Sequence, residues 1–318
     1  MATGGWTTRA GRVARGRAPG RASALPCRVP GRALPALVAA LLVALAWPLA
    51  GSAAAKVPLP PDVRPALTRA ATDEERLRRD GCLAFEPATV PRTCVYGVRT
   101  AGTIVALVGD SHAAHLFPAI EALALARGWR LVTFVKVSCP FTRQAVHSYN
   151  LGRSYRECTT YVGNAIARLK ALGPDLVITA VGRWMRSTDP DAGDPATQGR
   201  GIGAALAEIP GRKVVIVDVP YSWKDIPDCL AANRSDIRRC AIPRIGATAG
   251  GVPVRERKAA ARAGGTVVDL TAELCGPTAC AAISGGMIRY RDQHHLTATF
   301  ARSLAPAIGV RIGTVAGS

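Results

Sequence analysis

Five short apolar runs, each followed by a turn and a longer amphipathic stretch, constrain this chain more than any other feature. They are Thr103–Val108 (TIVALV), Arg130–Val135 (RLVTFV), Leu176–Val181 (LVITAV), Lys213–Val217 (KVVIV) and Thr266–Leu270 (TVVDL). Unbroken β-branched runs, with no polar alternation, belong to strands covered on both faces. Between them lie helical patterns over Ala113–Arg127, Tyr155–Leu172 and Thr197–Ile209, with another near Arg255–Ala263. Strands that alternate with helices pair in parallel, because each crossover brings the chain back in the same direction. The pattern predicts an α/β domain over residues 101–318: three layers, α/β/α, around a mostly parallel sheet of roughly five strands.

The segment before it is different. Residues 56–100 open on a proline-rich stretch (KVPLPPDVRP) and contain a short charged helix candidate at Thr72–Arg79, which predicts an N-terminal extension packed on the main domain. Residues 1–55 carry seven arginines in the first 32 positions, then the uncharged run Ala33–Ala50, then small residues ending in an Ala-x-Ala site at Ala55. A basic, then apolar, then small-residue order is that of a secretory signal peptide. An uncleaved membrane anchor is the alternative, since about 18 apolar residues is the lower limit for spanning a bilayer. Both place the remainder outside the cytoplasm: secreted, periplasmic, or held on the outer face of the cytoplasmic membrane.

Charge and cysteine content agree with export. The formal charge is +19, but removing those seven arginines leaves +12, spread along a chain that is 48% hydrophobic. Such a composition excludes a disordered polycation, and the dispersal argues against a nucleic-acid partner. Apart from Cys27 in the presequence there are eight cysteines, an even number: Cys82, Cys94, Cys139, Cys158, Cys229, Cys240, Cys275 and Cys280. Pairing sequence neighbours (82–94, 139–158, 229–240, 275–280) is the simplest of the connectivities that eight cysteines allow. No C-x-x-C occurs and no cysteine adjoins a histidine, so disulfides in an oxidising compartment explain these residues better than a metal does.

Two motifs carry chemistry. Gly109-Asp110-Ser111-His112 ends the first run where a helix begins. A serine there lies at the carboxyl end of a strand, with its own N–H at a helix N-terminus where negative charge is favoured. Asp110 and Ser111 are also ordinary helix caps. Near the other end, Arg291-Asp292-Gln293-His294-His295 precedes the last helix candidate. Asp292 and His295, three apart, reach one side of a turn, so that a carboxylate orients an imidazole whose other nitrogen faces a serine. Separate caps and a solvated loop would account for each motif alone; a Ser–His–Asp triad of Ser111, His295 and Asp292 accounts for both. Four of the five histidines, His112, His115, His294 and His295, supply a ligand count for zinc. Their spacing lacks a supporting carboxylate pattern apart from Asp110, and His295 has a triad role; no metal and no cofactor are expected. His112 is placed at the pocket rim, and His115 packed or facing water.

These blocks resemble the SGNH (GDSL-like) esterase superfamily. More narrowly, VALVGDSHAAHLFPAI, VSCPF, VGRW, VPYSWKDIPDCL and YRDQHHLT are similar to the SGNH domain at the C-terminus of membrane acyltransferase-three proteins, over roughly Val57 to Val310. The resemblance implies an SGNH-hydrolase-like, flavodoxin-like fold, with Ser111 as nucleophile, His295 as base, Asp292 as its partner, and the Ser111 N–H as an oxyanion donor. The superfamily's further glycine and asparagine are missing: Lys136-Val137-Ser138-Cys139 has no glycine and Ala180-Val181-Gly182-Arg183-Trp184 no asparagine. Backbone groups near Ser138 or Gly182, or the Arg183 guanidinium, are the candidate replacements. Asp110, His112 and Trp184 are candidates for substrate binding.

The resulting expectation is an exported serine acyl-ester hydrolase or O-acyltransferase. Its partner would be an acylated cell-envelope carbohydrate, the acyl group acetyl by resemblance and supplied, for transfer, by a membrane acyltransferase. The alternative is an SGNH-like domain that binds glycan without turnover or depends on a partner. A basic protein attracted to anionic envelope polymers is compatible with either.

Overall fold

The structure, a computed structural model, describes residues 55–148, 150–183, 194–247 and 252–313. Residues 1–54 of the segment expected to be a signal peptide or anchor, and Trp184, lie outside the described residues. Among those residues no helix is long and apolar enough to cross a membrane.

In chain order the strands of the main sheet are β1 (Leu83–Ala84), β2 (Cys94–Gly97), β3 (Ile104–Gly109), β4 (Arg130–Lys136), β5 (Leu176–Ala180), β6 (Arg212–Ile216) and β7 (Thr266–Val268). The principal helices are α1 (Ser111–Ala126), α2 (Arg156–Leu172), α3 (Pro195–Ala207), α4 (Val252–Ala263), α5 (Ala298–Ser303) and α6 (Ala305–Ile312). The five expected runs form five mutually parallel strands, in the order β4-β3-β5-β6-β7. Successive residues of each run face opposite layers. Val105 and Leu107 join one core with α1, α5 and α6. Ala106 and Val108 join the other with α2, α3 and α4. Helices on both faces are the reason the runs are apolar throughout.

Residues 56–100 do more than lie against this domain. They add β1, parallel to the end of β4, and β2, antiparallel to its beginning, which makes a seven-stranded sheet. Within this segment the expected helix at Thr72–Arg79 is absent; those residues form turns, and the short helix is Leu67–Ala70. Tertiary bonds outcompete the helix. The Asp73 carbonyl and carboxylate accept the N–H groups of Ala298 and Thr299 at the start of α5, at 2.8 and 2.9 Å. Glu74 pairs with Arg291 at 2.6 Å, and Arg76 pairs with Glu121 on α1.

From β3 onward the direction in which strands are added to the sheet reverses once. The connection after β3 leads to β4 on one side, and the one after β4 returns to β5 on the other, so a crevice opens at the carboxyl ends of β3 and β5. There Gly109 pairs in register with Ala180.

Four disulfides join Cys82–Cys94, Cys139–Cys158, Cys229–Cys240 and Cys275–Cys280, the sequence neighbours in each case. The second ties the loop after β4 to the first turn of α2. Replacing Cys139 and Cys158 together by serine frees a link between residues 19 apart. The expected result in urea unfolding is a loss of about 3 kcal/mol; an unchanged midpoint would contradict it.

Candidate active site

The turn from β3 into α1 is sharp, and its residues are specified. Gly109 has φ of +142°, and a Cβ there would lie 2.3 Å from the Ala180 carbonyl oxygen and 2.8 Å from the Ala113 Cβ. Only glycine fits. Asp110 follows as the N-cap: Oδ1 accepts the His112 N–H at 2.8 Å, and Oδ2 accepts the Gly182 N–H at 2.9 Å. One carboxylate therefore joins the turn after β3 to the turn after β5. Burial raises its pKa, against the opposing pull of His112 and the two backbone donors. Ser111 opens α1, and its N–H has no partner among the described residues.

Across the crevice, the loop before α5 brings Asp292 and His295 to that serine. The Ser111 hydroxyl donates to His295 Nε2 at 2.9 Å, and His295 Nδ1 donates to Asp292 Oδ2 at 2.7 Å. Asp292 Oδ1 also accepts the N–H groups of His294 and His295, at 2.8 and 2.7 Å. Burial works against its charge, but these bonds and the His295 ring outweigh it and hold its pKa well below the usual carboxylate range. For His295 burial dominates over the Asp292 bond, and its pKa is lowered from 6.5. The imidazole is thus neutral at pH 7, as a base must be.

A second set of polar groups adjoins the first. Asp218 follows β6 and is buried; its Oδ1 accepts from His112 Nδ1 at 2.5 Å and from the Val219 N–H at 2.9 Å. Its Oδ2 accepts the Arg183 N–H at 2.8 Å and faces Arg183 Nε at 3.5 Å. Burial opposes ionisation of Asp218, yet His112, Arg183 and Arg255 together hold its pKa far below the usual range. His112 is raised: burial disfavours its cation, and Asp218 more than compensates. His112 Nε2 lies 3.0 Å from His294 Nδ1, the two rings within 5° of parallel. Burial, and then His112, lower His294 to about 3. His115 is buried behind them with both nitrogens unpaired among the described residues; burial and the neighbouring histidines lower its pKa well below 6.5. His112, His294 and His295 bring nitrogens within 4.8 Å of one another and are the group among the described residues able to surround a cation. Doing so would displace the His112–His294 and Ser111–His295 hydrogen bonds.

Two of the groups expected near the oxyanion are engaged by carboxylates. The Gly182 N–H, among the backbone groups expected as donors, is bonded to Asp110, and the Arg183 N–H is bonded to Asp218. The Arg183 guanidinium is held by Asp218 and by the Val219 carbonyl, at 2.6 Å from Nη2. Both residues serve to fasten the turns after β5 and β6. Gly182 is needed for closeness, since a Cβ there would meet His112 Cδ2 at 2.9 Å. Ser138 is the other position at which a backbone donor is expected. It adopts φ of +53°, a left-handed conformation uncommon for serine, and its N–H has no partner among the described residues. With Ser111, Pro140 and His294 it lines a cleft of about 210 Å³, into which Asp110 and His112 also turn. Asp218 was missed from the sequence; the available signal was an aspartate directly after a buried strand, at the carboxyl edge where ligands bind.

A family model described as "SGNH domain (fused to AT3 domains)" matches residues 78–309. Among solved structures, the chain is similar to the periplasmic domain of the lipopolysaccharide acetyltransferase of Salmonella ser. Paratyphi A. The TM-score is 0.54 at 18% identity, covering 68% of this chain and 86% of that one. At that identity the likeness shows the shared fold. No curated protein matches the chain.

The geometry of the first turn makes a direct prediction. Gly109→Ala forces a methyl group against the Ala180 carbonyl at a φ that alanine avoids. The expected loss of stability is about 1–3 kcal/mol or more, read as a lowered midpoint of thermal unfolding; an unchanged midpoint would refute the account of this turn.

Proposed function

The chain belongs to the family of SGNH domains described as fused to AT3 domains, and on that premise we propose that it is an exported serine acyl-ester hydrolase or O-acyltransferase acting on acyl groups of cell-envelope polysaccharide. The observation that carries this is the continuous bond chain Asp292–His295–Ser111, with links of 2.7 and 2.9 Å, opening on a cleft at the reversal point of the sheet. In this mechanism Ser111 Oγ attacks the ester carbonyl while His295 Nε2 takes its proton. Asp292 holds the imidazole with its proton on Nδ1 and stabilises the imidazolium that forms. The unpaired N–H groups of Ser111 and Ser138 receive the charge developing on the carbonyl oxygen. His295 returns the proton to the departing alcohol, leaving an acyl-Ser111 that passes its acyl group to water or to a sugar hydroxyl.

The small cleft suits a short acyl group such as acetyl. The acetyltransferase named among the similar structures, and the family's fusion to AT3 domains, favour a membrane acyltransferase as donor partner. Four disulfides favour an oxidising, extracytoplasmic setting. A second reading, glycan binding without turnover, draws on the commitment of the Gly182 and Arg183 donors to carboxylates.

Hydrolysis of 4-nitrophenyl acetate separates the two readings. Ser111→Ala is expected to reduce turnover by about 10⁴-fold or more, and Asp292→Asn by about 10⁴-fold. Oxidised, folded wild type with no turnover above buffer would favour the binding reading.

The pH profile adds an independent check. Since burial lowers the His295 pKa below 6.5, the neutral base is present at pH 7 and is lost only as pH falls through that lowered value. kcat/KM should therefore stay level through neutrality and decline with a midpoint below 6.5. An acid limb centred above 6.5 would argue against His295 as the base.

A further inference from the structure

The mechanism above leaves unused a second chain of buried groups that ends in the same cleft. Asp218 Oδ1 and His112 Nδ1 are 2.5 Å apart, and His112 Nε2 and His294 Nδ1 are 3.0 Å apart. The remaining nitrogen of that chain, His294 Nε2, has no partner among the described residues, and His294 lines the cleft together with Ser111 and Ser138. Whether Nε2 carries a proton decides whether the cleft meets a donor or an acceptor at that point.

The charged groups around His112 point to the form it takes. The groups packed around the His112 ring include two buried carboxylates, Asp110 and Asp218, and one guanidinium, Arg183. Both oxygens of Asp110 accept main-chain N–H groups, the arrangement of an ionised carboxylate. Arg255, which holds the carbonyls of Val181 and Gly182, has its own carboxylate in Glu256. The His112 ring therefore sits between two carboxylates and a single guanidinium, and buried negative charge without a counterpart is costly. A protonated His112 supplies it, and the raised pKa of His112 agrees. Both its nitrogens then donate, Nδ1 to Asp218 and Nε2 to His294 Nδ1. A neutral His294 that accepts at Nδ1 has its proton on Nε2.

We propose that Asp218 and His112 are positioning residues that hold His294 in its Nε2–H form, making His294 a hydrogen-bond donor to the acyl oxygen of the bound ester beside the N–H groups of Ser111 and Ser138. The inference rests on the acyl-transfer reading above. No proton changes hands; the bond strengthens as negative charge develops on the oxygen, so it contributes to kcat rather than to substrate affinity.

The test uses the full oxidised chain and 4-nitrophenyl acetate. His294→Leu should lower kcat by about 100- to 1,000-fold with KM little changed. His294→Gln, which keeps an N–H donor of similar reach, should recover most of that loss, a rescue that a purely structural role would not give. On wild-type protein, long-range ¹H–¹⁵N correlation of the histidine rings should find the His294 proton on Nε2 and both His112 nitrogens protonated. A His294 proton on Nδ1 overturns the inference whatever the variants do. Turnover retained in His294→Leu overturns it alone, whereas absence of turnover from wild type overturns the acyl-transfer reading and the donor role with it.

Discussion

The carboxylate of Asp110 is the point on which the site's organisation depends. It caps α1 through the His112 N–H and fastens the loop after β5 through the Gly182 N–H. The turns that follow β3 and β5 are thereby held at a fixed separation beyond the strands' last paired residues. Gly109 makes this possible by letting the chain pass within van der Waals contact of the Ala180 carbonyl. Ser111 is then delivered at the first turn of a helix with an unengaged N–H, the arrangement in which a helix N-terminus best receives negative charge.

The opposite wall is built from loops and is rigid for a different reason. The turn containing Asp292 and His295 closes through the Arg291 N–H bond to the His295 carbonyl, at 3.0 Å. Arg291 itself is anchored to Glu74 and lies 3.7 Å from Glu75 in the N-terminal segment. On its other flank, Tyr221 bonds Gln293 at 2.7 Å and the Ser222 N–H reaches the Gln293 carbonyl at 2.8 Å. The segment before β3 thus completes the sheet edge and also holds the loop that faces the serine. These tasks explain why its charged stretch forms turns: a helix over Thr72–Arg79 would withdraw the Asp73 carbonyl that α5 requires.

Between the two walls, two carboxylate–imidazole pairs lie side by side with different environments. Asp292 and His295 lead to Ser111, which lines the cleft, and burial lowers the imidazole's pKa despite its partner. Asp218 and His112 are deeper, and there the carboxylate prevails over burial. The two imidazoles are thus shifted in opposite directions, His295 toward its neutral form and His112 toward its cation.

The parallel strands, their order of appearance, the cysteines and the Gly109–Ser111 and Asp292–His295 blocks were legible in the sequence, with neighbour pairing the simplest of the disulfide connectivities it allowed. Each is written in local signals: apolar runs too continuous for a one-sided sheet, cysteines close in the chain, and turn residues at the ends of strands. What the sequence left undetermined depends on partners far apart in the chain. β1 and β2 are short and carry no period of their own; they exist because β4 offers an open edge. Gly182 and Arg183 have N–H groups like any others, and only the tertiary arrangement commits them to Asp110 and Asp218, leaving Ser138 with the unpaired one. Asp218, a single aspartate after a strand, acquires its significance from His112, 106 residues away. Local chemistry is sufficient to specify backbone direction and turns, whereas the destination of a donor or the charge of a buried imidazole is set by the sum of fields from groups that meet only when the chain has folded.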